Sequence, residues 1–294
     1  MNRFKSAVRK RSIRAFTLIE VLVATVIMVI MVGLVIQVTS QVLNVWNRSS
    51  GRLSAIAQAR IAMELITQDL ETAVFRNNDV QWLRSENDAI NPLGTATDTV
   101  ALRLFSPALD RPDGTGDICA IAYQLKFADP INGDEAPGTP DDRLFILYRS
   151  VVEPNQTFND LMGIGQQELL PDRSAITWGT SIVGDEGENY LVSNIARFEI
   201  EFHVVDDGDT STPTEVPGST IYGGTDATVG PQAPAASPEF QQPLSYAEVR
   251  LTVLTDEGAL ILQNLADSGR DFDEVILEHG QPFTRRVYFP ARPL

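Results

Sequence analysis

Residues 16–38 read FTLIEVLVATVIMVIMVGLVIQV, an apolar run of 23 residues interrupted by one carboxylate, Glu20. At about 1.5 Å per residue a helix of this length covers about 34 Å, enough for a hydrocarbon core of about 30 Å. The run is longer than the about 7–15 apolar residues of a secretory signal peptide, and no A-x-A-like site follows it. A plain signal anchor accounts for the length but leaves Glu20 unexplained. A carboxylate at membrane depth costs about 2.5–3.5 kcal/mol and usually pairs with another group. Glu20 is then either a tolerated charge near the membrane edge or a group with a positive partner at the same depth, such as an N-terminal amine made by cleavage just upstream.

Ahead of this run lie six bases and no acid: Arg3, Lys5, Arg9, Lys10, Arg11 and Arg14. A short basic stretch before an apolar span stays cytoplasmic. The chain carries a formal net charge of −16, and from Phe16 onward 17 bases face 39 acids. So acidic a body repels nucleic acid and anionic lipid, and no nucleic-acid partner is expected. Cys119 is the single cysteine and sits in an apolar run, where it reads as a small buried hydrophobe. His203 and His279 lie far apart, without a Cys or Glu at ligand spacing. The pattern supports neither a zinc site nor a Ser-His-Asp machine, so the expected catalytic and metal residues are none.

The segment Arg14-Ala15-Phe16-Thr17-Leu18-Ile19-Glu20-Val21-Leu22 resembles the class III signal of type IV pilins and type II secretion pseudopilins. In that family a membrane aspartyl peptidase cuts before the Phe and methylates its amine. The resemblance implies processing between Ala15 and Phe16, with prepilin peptidase as the first partner. It also implies that Glu20, five residues into the mature chain, neutralises the amine of a neighbouring subunit during assembly. Ala15 stands where the family usually has Gly. The implied location is a bacterial inner membrane, single-pass, with the N-terminus cytoplasmic before cleavage and the body periplasmic or in a filament.

Between Phe16 and Asn91 there is no proline, and the glycines are Gly33 and Gly51 alone, so the helix can continue past the membrane. Val42, Val45, Trp46, Leu53, Ile56, Ile61, Leu65, Leu70 and Val74 recur at helix-like intervals, a stripe expected to pack on a sheet. After Pro92 the period changes to two. Val100, Leu102 and Leu104 alternate with other residues, as do Ile121 to Phe127, Leu144 to Tyr148, Phe198 to Val204 and Val249 to Val253. The expected fold class is α+β: a long N-terminal helix, membrane-spanning then amphipathic, packed on an antiparallel β-sheet body with long loops. The expected organisation is a basic leader over 1–15, a transmembrane helix over 16–38, and an amphipathic helix and linker over 39–91. A β-rich globular domain over 92–294 follows, with insertions at 206–243, an exposed loop, and 258–281, a helical stretch.

The order Asn194 to Phe202, Ala247 to Val253 and Arg285 to Pro290 resembles the C-terminal half of J-type minor pseudopilins, which sit with I- and K-type partners at the tip of the type II secretion pseudopilus. This resemblance implies a structural, non-enzymatic subunit whose partners are other pilin-like subunits and the lipid bilayer. The alternative is a pilin of a surface fibre used for adhesion or uptake. No cofactor is expected, although acidic loops at Asp110 to Asp117, Gly184 to Asn189 and Asp206 to Asp209 offer oxygens that calcium accepts.

Overall fold

The computed structural model describes residues 17–74, 82–90, 97–107, 116–130, 143–162, 169, 182, 188–204, 214–215, 220–223, 227–229, 244–265 and 269–289. The chain divides into two compact units, Met1–Ser50 and Gly51–Leu294. The helix α1, Leu18–Glu71, contributes to both. In the first unit, Leu18–Leu43 is long and apolar enough to cross a membrane, and none of it is buried within the protein. A run so rich in Val and Ile is a modest helix former in water. In a bilayer the helix is the solution that satisfies every backbone N–H and C=O within one segment.

In the second unit α1 buries a stripe that coincides with the expected one only in part. Ala55, Ala59, Ala62, Met63, Ile66 and Leu70 enter the core, whereas Leu53 and Ile61 stay 65% and 54% exposed. The inward face is set by position on the helix: these buried residues follow the three- and four-residue spacing of one helix face. Of the expected stripe within this unit, Leu70 is buried, Ile56 and Leu65 are half-buried, and Leu53 and Ile61 face away.

Two antiparallel sheets build the body. The seven-stranded sheet runs β5-β4-β3-β2-β1-β8-β9, and the four-stranded sheet runs β11-β10-β6-β7. The strands of the first are β1 Leu83–Ile90, β2 Thr97–Ser106, β3 Cys119–Ala128, β4 Leu144–Val152, β5 Tyr190–Ser193, β8 Thr220–Gly223 and β9 Ala227–Val229. Those of the second are β6 Ile195–Val204, β7 Thr214–Glu215, β10 Leu244–Leu254 and β11 Gly280–Tyr288. One core lies among α1, the inward residues of β2, β3 and β4, and the inward residues of β6 and β10. A smaller core on the other face of the large sheet gathers Trp82, Phe105, Ile146 and Tyr148 with Leu161, Leu169 and Ile182. Cys119 is buried, as its surroundings suggest.

Two features depart from the sequence reading. The stretch expected as amphipathic helix and linker contains β1, whose Arg84, Ser85, Glu86, Asn87 and Asp88 carry no apolar alternation. It forms because β2 pairs along its whole length, and because Glu86 takes guanidinium groups from Arg84 and from Arg103, the latter at 2.7 Å. Burial pushes the Glu86 carboxyl up, but the two arginines outweigh it and hold it below the usual carboxylate range. The 206–243 stretch, read as one exposed loop, sets β7 beside β6 and the β8–β9 hairpin beside β1, so it caps an edge of each sheet. The helical insertion is present as α2, Asp256–Gln263, and α3, Phe272–His279.

A buried polar group fixes the end of α1 to the large sheet. Arg149 of β4 donates through Nε to Asp69 Oδ2 at 2.8 Å and through an Nη to Oδ1 at 3.2 Å. Tyr123 of β3 gives its hydroxyl proton to the same Oδ2. All three residues are at most 8% exposed. Burial, then the neighbouring Asp69 charge, raises the Tyr123 phenol well above its ordinary value, so it stays a donor.

Candidate functional site

The sequence points to the start of α1 as the site. Ala15 and Phe16, the expected processing residues, lie outside the described residues. Glu20 is described, and it occupies the third position of the helix after Thr17. Its Oε2 accepts the Thr17 backbone N–H at 2.9 Å and the Thr17 hydroxyl at 3.0 Å. In return the Glu20 N–H reaches the Thr17 hydroxyl oxygen at 3.4 Å and the Thr17 carbonyl at 3.1 Å.

This reciprocal arrangement is a capping box. It satisfies backbone donors that the first helical turn leaves without partners, and it sets the carboxylate at the positive end of the helix dipole. Such a cap stabilises a helix by about 1 kcal/mol, a fraction of the about 2.5–3.5 kcal/mol that a carboxylate costs at membrane depth. The cap thus explains how Glu20 is held at the start of the helix. The role of Thr17 was missed, although its signal, Thr-x-x-Glu before an apolar run, stands in the sequence.

Residues 10–36 match the family model of the prokaryotic N-terminal methylation motif. The match covers Ala15, Phe16, Thr17 and Glu20 and reaches into the candidate membrane span. It supports a type IV pilin-like protein, processed as a pilin or pseudopilin subunit and anchored in a membrane by its apolar N-terminal helix. No curated protein and no solved structure matches the chain. The acidic loops that offered oxygens to calcium fall mostly outside the described residues. Among the described residues, no group of three or more His, Cys, Asp or Glu side chains is arranged to hold a metal ion.

Proposed function

We propose that the chain is a structural pilin-like subunit, cut between Ala15 and Phe16 by a prepilin peptidase and methylated on the new amine. It assembles as a J-type minor pseudopilin at or near the tip of a periplasmic, type II secretion-like pseudopilus. The observation that carries the reading is the methylation motif over residues 10–36, continuous with an apolar helix of 26 residues. In an unassembled subunit the Glu20 carboxylate is occupied by Thr17. On assembly it turns to the Phe16 amine of a neighbour, exchanging hydrogen bonds from neutral donors for an ion pair that also neutralises its charge.

Glu20→Gln separates the two roles, because the amide oxygen still accepts from Thr17 but cannot neutralise an amine. The variant is expected to be cleaved and inserted normally while its share in sheared filament or pseudopilus fractions drops by more than about tenfold, the factor for about 1.4 kcal/mol. Thr17→Val, which loses only the cap, is expected to keep most of that share. Quantitative immunoblotting of membrane and filament fractions reads both variants. Wild-type incorporation of Glu20→Gln would remove Glu20 from the assembly site. Scarcity relative to a shaft-forming subunit in the same fractions separates a minor pseudopilin from the pilin of a surface fibre.

A further inference from the structure

Glu20 is the last charge before an uncharged run from Val21 to Asn47, which Arg48 closes. Near the end of that run stands Trp46, three residues past the candidate span that ends at Leu43. Its side chain is 71% exposed, whereas Trp82 in the body is 2% exposed. An indole has an apolar ring and one N–H donor, and such side chains collect where hydrocarbon meets lipid headgroups.

Length places Trp46 there. At 1.5 Å per residue the rise along α1 from Glu20 to Trp46 is about 39 Å. A hydrocarbon core is about 30 Å thick, and about 40–45 Å with its headgroup layers. An upright helix therefore carries each residue about 4–5 Å beyond the core, one into each headgroup layer. Sinking the whole of Leu18–Leu43 into hydrocarbon would instead demand a tilt of about 40°, the limit of the usual range. It would also draw Thr39, Ser40 and Gln41 out of reach of water. Charge agrees with the upright placement. From Val21 to Met63 the sequence carries Arg48, Arg52 and Arg60 and no acid, within a chain of net charge −16. The stretch leaving the bilayer is thus spared the repulsion between acidic protein and anionic lipid, and bases beside headgroups are attracted to phosphate.

We propose that Trp46 is the depth anchor of the free subunit and that phospholipid covers this part of α1. The ring lies in the headgroup layer at the C-terminal end of the span, with the indole N–H donating to a lipid ester or phosphate oxygen. So anchored, the helix holds Glu20 at the opposite headgroup boundary, where a carboxylate costs far less than at mid-span. The inference rests on the membrane-anchored reading of the chain and deepens it.

The test uses the full chain, diluted in vesicles of phosphatidylcholine and phosphatidylglycerol. The fluorescence difference between the parent and Trp46→Phe isolates Trp46 from Trp82 and Trp178. A nitroxide on the lipid headgroup is expected to quench that difference at least about twofold more than a nitroxide near the acyl-chain end, because the ring lies far from the mid-plane. A second measurement reads the other end of the helix in a Cys119→Ser background. Ile19→Cys is expected to react with a water-soluble maleimide, supplied on both sides of the membrane, at least about tenfold faster than Ile30→Cys at mid-span, since the thiolate that reacts needs water. Stronger quenching by the chain-end label would overturn the proposal, as would equal labelling at positions 19 and 30. Quenching by neither label, in chains that still float with the vesicles, would also overturn it and assign Trp46 to water or a protein surface. Chains that fail to float would overturn the membrane-anchored reading itself, and the depth assignment with it.

Discussion

Replacing Arg149 by alanine is expected to lower the stability of the body by about 3–5 kcal/mol, the range for removing one partner of a buried ion pair. The change leaves the Asp69 carboxylate, buried between α1 and the large sheet, with the Tyr123 hydroxyl but without its bidentate guanidinium. Desolvation of that charge, rather than the lost attraction, dominates the cost. A double variant, Asp69→Leu with Arg149→Met, removes both charges and is expected to be more stable than Arg149→Ala. The remaining deficit belongs to the Tyr123 hydroxyl, and adding Tyr123→Phe is expected to recover part of it. Denaturant unfolding followed by circular dichroism, arranged as a mutant cycle, reads these couplings. A loss below about 1 kcal/mol for Arg149→Ala would be that of an exposed pair and would contradict the burial described.

The second large effect is expected at Gly258. A Cβ added there lies 2.5 Å from the His279 Cβ and 3.2 Å from its Cγ. Neither atom is the end of a flexible side chain, so α2 and α3 must move apart. Gly258→Ala is expected to destabilise by about 1–3 kcal/mol, the cost of overpacking a close contact, despite the about 1 kcal/mol that alanine gains over glycine inside a helix. Gly51→Ala is the control with the opposite sign. Its Cβ meets nothing nearer than Asp256 Oδ2 at 3.5 Å, an ordinary contact, so the about 1 kcal/mol helix gain is expected to appear as added stability. Thermal unfolding of the two variants against the parent checks both signs, and stabilisation by Gly258→Ala would contradict the described approach of the two helices.

The long strands were legible because their apolar residues alternate and their inward faces are buried. Phe198, Phe202, Val249, Leu251 and Val253 enter the core from the expected positions. The helical insertion was legible from the apolar run beginning at Ala259. By contrast, β1 is held by pairing with the next strand, β2, and by the ion pairs of Glu86 with Arg84 and Arg103, interactions that are polar rather than apolar. Hydrophobic periodicity does not register them. The inward face of α1 was legible at Leu70 but not at Ala55, Ala59 and Ala62, because large apolar residues outweigh alanine in any hydropathy pattern. The strands of the 206–243 excursion run from two to four residues, too short for an alternation to declare itself. At the candidate site, Glu20 stood out as a charge in an apolar run. Thr17 did not, because its meaning lies in the geometry of a helix start rather than in its polarity.

The central claim is that the motif at the start of α1 is processed. Intact mass and N-terminal sequencing of the membrane-extracted chain, with and without an active prepilin peptidase, test it most directly. The expected result is a mature chain beginning at an N-methylated Phe16, found only when the peptidase is active. An uncut chain beginning at Met1 in the presence of active peptidase, or a cut well beyond Val38, would contradict the account and leave the apolar helix an ordinary anchor or signal.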